Sequence, residues 1–378
     1  MQTGAMTSEA PRQSRRPLAW AAPAAGLVIV AAAVTVPMVA SASPSLPTRT
    51  AAQLLASVAQ SSGTPLSGTV VETARLGIPA LPQAEGAAIS PTALLAGSHT
   101  AHVWYDGADK ARIALVGPLA ETDFVRNGRD VWIWTSGANT AQHYQLPAAK
   151  PGSAAQAPGT AESVTPQKAA AQALAAVDPT TKVTVDGTAS VAGRSAYELV
   201  LVPKDTRSLV GDVRIAVDSK TGVPLRVRVY ARGTHARPAF ETTFTSVSLR
   251  KPGAGVFRFS PPPGAKVTNP GTPGGAGKPD AKAGAPDKNA PKLIGTGWTA
   301  VVELSGVSLP TSSPTGRDNR GSASDQLGAL RKAMTPVQGA FGHGQVLRTK
   351  LLSLLLLDDG RLFVGSVTPA VLEQAAAK

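Results

Sequence analysis

The sequence predicts an α+β fold: a strongly curved antiparallel sheet, a half-open β-barrel, with helices packed in its concavity and a small C-terminal α/β module behind it. Three observations predict it. Strand-like runs separated by Gly-containing turns recur from Leu66 to Phe259. Residues 212–231 alternate cleanly: Val213, Ile215 and Val217 oppose Asp212, Arg214 and Asp218, and Leu225, Val227 and Val229 oppose Arg226 and Arg228. That is the period of antiparallel strands with one buried and one solvated side. The runs number roughly ten, near the point at which an open sheet curls on itself.

The 378 residues suffice for two domains with tails, and 43% hydrophobic content with only 4% aromatic leaves Ala, Val and Leu to fill the core. The net charge of +13 suits an anionic membrane or cell-wall surface as well as nucleic acid. The cations are scattered singly, without an Arg-rich helix or zinc module, which argues against a nucleic-acid partner. The absence of cysteine excludes disulfides, thiolate catalysis, Cys-ligated zinc, iron–sulfur clusters and lipid attachment at a cysteine.

Arg12, Arg15 and Arg16 precede an uncharged run over residues 18–40, which ends in the small-x-small pattern Ala40-Ser41-Ala42. Positive residues before an apolar segment hold that end in the cytoplasm and send the rest outward. A cleaved signal peptide and a retained anchor both fit residues 1–42. The chain is therefore expected outside the cytoplasm, secreted or anchored to the plasma membrane. Ser14-Arg15-Arg16-Pro17-Leu18 also partly matches a twin-arginine signal.

A helix over residues 49–60 stops at Ser-Ser-Gly-Thr-Pro, and the β-branched run Leu66–Arg75 follows as a strand. Residues 76–97, with Pro79, Pro82 and Pro91, form a long loop, a lid or a surface excursion. Hairpins then repeat: residues 100–105 turn through Asp106–Asp109 into 110–117, and 121–126 turn through Asn127-Gly128 into 130–135. Asn-Gly favours a type I′ turn. Val131-Trp132-Ile133-Trp134 is apolar on both parities, as a strand covered on both sides would be. Residues 142–146 add a strand and 150–162 a Pro/Ala/Gly loop. Thr165-Pro166 opens an Ala-rich helix to about Val177. Strands over 183–191, 195–203, 212–218, 224–231, 239–249 and 256–259 complete the meander.

These segments resemble the LolA/RseB superfamily of extracytoplasmic carriers and sensors. The resemblance rests on Thr50-Ala-Ala-Gln-Leu-Leu with Leu66-Ser-Gly-Thr-Val-Val-Glu-Thr, on Val103-Trp-Tyr-Asp-Gly-Ala-Asp-Lys, and on Asn127-Gly128 before Val-Trp-Ile-Trp. Val191-Ala-Gly-Arg-Ser-Ala-Tyr-Glu-Leu-Val-Leu-Val-Pro, Asp218-Ser-Lys-Thr-Gly-Val-Pro-Leu-Arg-Val and Phe257-Arg-Phe-Ser-Pro-Pro-Pro-Gly-Ala extend it across residues 46–265. The Ala/Gly/Arg-rich style resembles that of high-GC actinobacterial proteins. The resemblance implies an unclosed barrel over residues 43–265 that binds a lipid or lipoprotein acyl chain. Its RseB branch implies a membrane-bound anti-sigma factor as partner, and a transporter is the further possibility. The Pro-rich insert at residues 76–95 departs from the family pattern and changes any lid. A lipoprotein shuttle also presumes an outer membrane.

Residues 266–292 read as a Pro/Gly/Lys linker. Their Gly-Gly-Ala-Gly-Lys-Pro lacks the spacing, the Ser or Thr and the preceding strand of a phosphate loop. Residues 293–378 regain structure: a strand at 298–304, a short helix at 325–334, a hairpin over 345–367 with Leu354–Leu357 covered on both sides, and a terminal helix after Thr368-Pro369.

No catalytic motif occurs, so the chain is expected not to be an enzyme, and no cofactor is expected. His99 and His102, three apart on a strand, face opposite sides and cannot share a metal. The candidate ligand-lining residues are Trp104, Trp132, Trp134, Val213, Ile215, Leu225, Val227, Val229, Phe240 and Phe244. For the three tryptophans, plain core packing is the competing reading.

Overall fold

The computed structural model describes residues 45–78, 93–117, 119–147, 165–234, 236–269, 291–306 and 332–377. The signal or anchor segment, most of the Pro-rich insert and of the linker, the loop at 150–162 and most of the helix expected at 325–334 lie outside them.

Thr50 starts α1 (Ala51–Gln60) with a reciprocal cap: its hydroxyl accepts from the Gln53 amide at 3.2 Å, and the Gln53 side chain accepts from the Thr50 amide at 2.9 Å. β1 (Leu66–Arg75) follows. A meander runs through β2 (Ala96–Tyr105), β3 (Lys110–Val116), β4 (Glu121–Asn127), β5 (Asp130–Thr135) and β6 (Thr140–Gln145). After α2 (Pro166–Ala175), capped by Thr165, a second meander comprises β7 (Thr181–Val191), β8 (Arg194–Pro203), β9 (Val210–Asp218), β10 (Pro224–Ala231) and β11 (Phe240–Ser248).

β11 returns to pair with β1, so the two meanders fuse into one large curved sheet. Its order is β12-β6-β5-β4-β3-β2-β1-β11-β10-β9-β8-β7, where β12 is Lys266–Thr268. β12 and β7 stand at opposite ends, so the barrel is not closed.

Three expectations change. The sheet is antiparallel except at β12, which lies parallel to β6 and uses residues assigned to the linker. Residues 254–257 form a 3-10 turn, not a strand. The β4–β5 turn has positive φ at Gly128 (64°) but not at Arg129. That is the II′ pattern, because the chain places Gly first of the two central residues.

The join between β11 and β1 requires Gly68. A Cβ there would meet the Ser246 carbonyl oxygen and the Phe244 ring, beside a register shift at Thr69/Val70. Gly68→Ala is expected to destabilise by about 1–3 kcal/mol through overpacking, read as a lower urea midpoint at unchanged slope.

The C-terminal residues build a six-stranded antiparallel sheet. Its strands are β13 (Lys292–Ile294), β14 (Val301–Leu304), β15 (Thr335–Gly339), β16 (Gly342–Arg348), β17 (Ser353–Leu357) and β18 (Leu362–Gly365), in the order β13-β14-β18-β17-β16-β15. α3 (Pro369–Ala376) packs Leu372 against Leu355 and Phe363. The run expected as one strand over 345–357 is broken by a turn in which the Thr349 hydroxyl accepts from the Leu351 and Leu352 amides. Leu355 and Leu357 are buried while Leu354 and Leu356 are half-buried, so β17 alternates rather than being covered equally on both sides.

This sheet docks on the large one within the same compact unit, Ser43–Lys378. The Leu209 amide donates to Ser366, the Thr368 amide to Arg207 and the Lys350 amide to Leu76, at 2.8, 2.9 and 2.9 Å. Trp298 precedes β14 in a 3-10 turn, and its indole donates to the Thr181 hydroxyl at 2.8 Å.

Candidate binding groove

The strand register assigns each residue to a face. Ala74 pairs with Phe240, Phe240 with Val229, and Val229 with Val213. One residue pair along, Glu72 pairs with Thr242 on β11 and with His99 on β2, and Thr242 pairs with Val227. Both rows lie on the face covered by α1 and α2, whose Leu54, Val58, Ala169 and Ala170 share a core cluster with Val213, Ile215 and Val227.

On this face lies a groove of about 620 Å³, inside the range of roughly 300–1,000 Å³ typical of small-molecule sites. Its floor is Val213, Val227, Val229 and Phe240, with Val210 and Glu72. One wall is α2, which presents Ala169, Ala173 and Ala176 at helical spacing together with Gln172. Methyl side chains bring this helix close to the sheet without filling the space. The other wall comes from the six-stranded sheet and its leading turn: Trp298, Leu351, Leu352 and Ser366. Leu94 and Leu95 also line it, and Leu95 is exposed.

Among the described residues, Glu72 is the one ionisable group of the lining. It is 2% exposed, and neither carboxyl oxygen has a hydrogen-bond partner. Burial pushes its pKa from 4.5 up to about 8, because an apolar surround penalises the charged form.

Of the residues singled out from the sequence, Val213, Val227, Val229 and Phe240 line this groove. Ile215, which pairs with Val227 on the same face, is fully buried in the core cluster. Leu225 and Phe244 belong to a second cluster with Val70, Val103 and Ile113. The expectation that Leu225 continues the Val227–Val229 row fails at a register shift between Pro224 and Arg226, since an extra residue there breaks the two-residue period.

The three candidate tryptophans lie away from this groove. Trp104 pairs with Arg112, Arg112 with Val125, and Val125 with Trp132, which places them on the face opposite the groove; Trp134, two residues from Trp132, shares that face. There Trp132 stacks on His143 with centroids 4.2 Å apart, both Trp132 and Trp134 pack against Phe259, and the Arg112 guanidinium lies over Trp104. They anchor the segment that follows β11 and do not line the groove.

The opposite face of β8–β10 also carries more than solvated charge. Glu198 bonds Arg228 and lies within ion-pair distance of Arg214 and Arg226, and Arg214 also pairs with Asp212. Among the described residues no cluster of three metal-ligating side chains is present, and no helix is long and apolar enough to cross a membrane.

Sequence reasoning passed over Glu72, the alanines of α2 and the wall from the C-terminal sheet. For Glu72 the signal was present: it shares the parity of Leu66, Val70 and Ala74, all buried.

No family model matches this chain, and no curated protein does. Its fold is similar to that of several solved structures. MucB in the MucA/MucB complex of Pseudomonas aeruginosa is 15% identical, over 86% of this chain and 96% of that one, at a TM-score of 0.42. An uncharacterized conserved protein from Thermus thermophilus is 14% identical over 58% of this chain and 98% of that one, at 0.33. A LolA superfamily protein from Nitrosomonas europaea is 13% identical over 56% of this chain and 99% of that one, at 0.22. These likenesses concern the course of the chain alone.

Proposed function

We propose that this chain is a non-enzymatic, extracytoplasmic binding protein that holds an acyl chain, of a lipid or a lipoprotein, in the groove between α2 and the two sheets. The observation that carries the reading is the groove itself: a slot walled by alanine, valine, leucine and aromatic side chains, with a single ionisable group in its described lining. Each methylene taken from water into such a surround contributes about 0.8 kcal/mol, so a chain of moderate length binds without ionic contacts. The extracytoplasmic placement rests on Arg12, Arg15 and Arg16 ahead of the apolar run at 18–40.

The test is organic extraction of the natively purified protein followed by mass spectrometry, with titration of a fluorescent acyl probe alongside. Acyl lipid is expected in the extract. Ala173→Trp, which fills the groove from the helix side, is expected to weaken the probe by at least about tenfold, since the chain loses burial of several methylenes. A protein that yields no acyl lipid and binds no probe sinks the reading.

A second reading, a regulator that holds a membrane-bound anti-sigma factor or a transporter, draws on the sequence resemblance to the RseB branch. Cross-linking in native membranes tests it. Recovery of the chain without any membrane-protein adduct counts against it.

A further inference from the structure

We propose that Glu72 is the polar anchor of the groove, and that the ligand it selects is a neutral acyl ester carrying a free hydroxyl, as in a monoacylglycerol, rather than a bare hydrocarbon or a carboxylate. This rests on the acyl-binding reading above and adds the chemistry of the head.

The geometry carries it. Glu72 sits mid-strand on β1, where Leu66, Val70 and Ala74 are its buried neighbours of the same parity. A carboxyl with both oxygens enclosed and without a protein partner is costly, because burial strips hydration that no protein group compensates. It lines the groove, so a bound molecule can supply the missing partners. The groups around it do not: Val70 and Ala74 along the strand are apolar, and neither carboxyl oxygen bonds Thr242 on β11, His99 on β2 or Gln172 on α2. Among the described residues paired with or lining the site beside Glu72, His99 on β2 is the other ionisable side chain.

The protonation state decides the class of head group. With a pKa near 8, Glu72 is mostly a neutral acid at pH 7, with one O–H to donate and one carbonyl oxygen to accept. The acid O–H donates to an ester carbonyl and an adjacent hydroxyl donates to the acid's carbonyl oxygen, so both sites are satisfied without burying a charge. A carboxylate head would bring a buried negative charge to an acid that itself ionises as the pH rises.

The experiment uses the full chain as wild type, Glu72→Gln and Glu72→Leu. Direct binding of the fluorescent hydrocarbon diphenylhexatriene reports the apolar slot, and its displacement by 1-monolaurin or by laurate reports the head. Glu72→Leu is expected to bind diphenylhexatriene at least as well as wild type and monolaurin about tenfold more weakly, the loss of one to two hydrogen bonds. Glu72→Gln, which keeps a neutral donor and acceptor, is expected to retain monolaurin. Wild-type affinity for monolaurin is expected to fall as pH passes about 8, and Glu72→Gln to stay level, which separates Glu72 from His99. Laurate is expected to compete more weakly than monolaurin. Monolaurin binding equally well to wild type and Glu72→Leu overturns the anchor and leaves the acyl groove standing. Failure of wild type to bind diphenylhexatriene or monolaurin overturns the groove reading itself.

Discussion

Ligand-free protein should lose stability steadily as the pH rises from about 4.5 to about 8, and Glu72→Gln should remove that loss. The sign follows from burial. The carboxyl titrates near 4.5 in the unfolded chain and near 8 in the folded one. Its contribution is therefore complete below pH 4.5 and declines until the folded form also ionises near pH 8, above which it is flat. At about 1.4 kcal/mol per pH unit, the decline is on the order of 5 kcal/mol. Glu72→Leu should gain more, since it also removes an unsatisfied polar group from an apolar surround. The measurement is the difference in urea midpoint between wild type and each variant at pH 5 and at pH 8.5, which cancels groups common to both. Parallel profiles for wild type and Glu72→Gln would show that the carboxyl is hydrated in the folded protein, and would remove the basis for treating it as an anchor.

The sheet was legible because its signal is local. Val213-Arg214-Ile215 and Val227-Arg228-Val229 alternate by the period of the pleat, and Leu66–Arg75 was delimited to the residue by Pro65 and the loop after Arg75. The candidate groove was legible in part. Val213, Val227, Val229 and Phe240 could be named from parity, because regular alternation carries a face along a strand. Leu225 could not, because a single extra residue shifts the register without changing composition. The tryptophans misled for a different reason: size marks a residue as buried but says nothing of which side of the sheet it is buried on. Their true partner, Phe259, follows β11 in the chain and reaches them only through the fold. The wall formed by Trp298 and Leu351 was illegible on the same ground. It depends on two sheets meeting across residues far apart in sequence.

Asp218→Ala should destabilise the protein by about 2–3 kcal/mol, the cost of losing the charge-assisted bonds that its buried carboxylate accepts. Asp218 is 2% exposed and accepts from the Arg194 Nε and Nη2 at 2.6 and 3.1 Å, from the Lys220 and Thr221 amides at 3.2 and 2.8 Å, and from the Thr221 hydroxyl at 2.7 Å. Burial alone would raise its pKa, but the bonds from Arg194 and Thr221 together hold it below the usual 3.8. That stabilisation is present above the unfolded pKa and is lost as the pH falls through the folded one, so the wild-type advantage over Asp218→Ala should shrink on acidification below about pH 4. The effect should extend beyond the turn. These bonds fix the β9–β10 turn so that the Gly222 carbonyl accepts from the Ser61 hydroxyl at 3.0 Å, and Gly222 packs against Ser57 too closely for any side chain. This is the dock of α1 on the sheet, and the turn leads directly into β10, which supplies Val227 and Val229 to the groove floor. Thr221→Val, which removes one of the five bonds, should cost only about 1 kcal/mol. Calorimetric and urea unfolding of the two variants at pH 7 and pH 3.5 decide the matter. Equal midpoints for wild type and Asp218→Ala at pH 7 would mean that the turn is held by packing alone, and the charge pair with Arg194 would then have no part in seating α1.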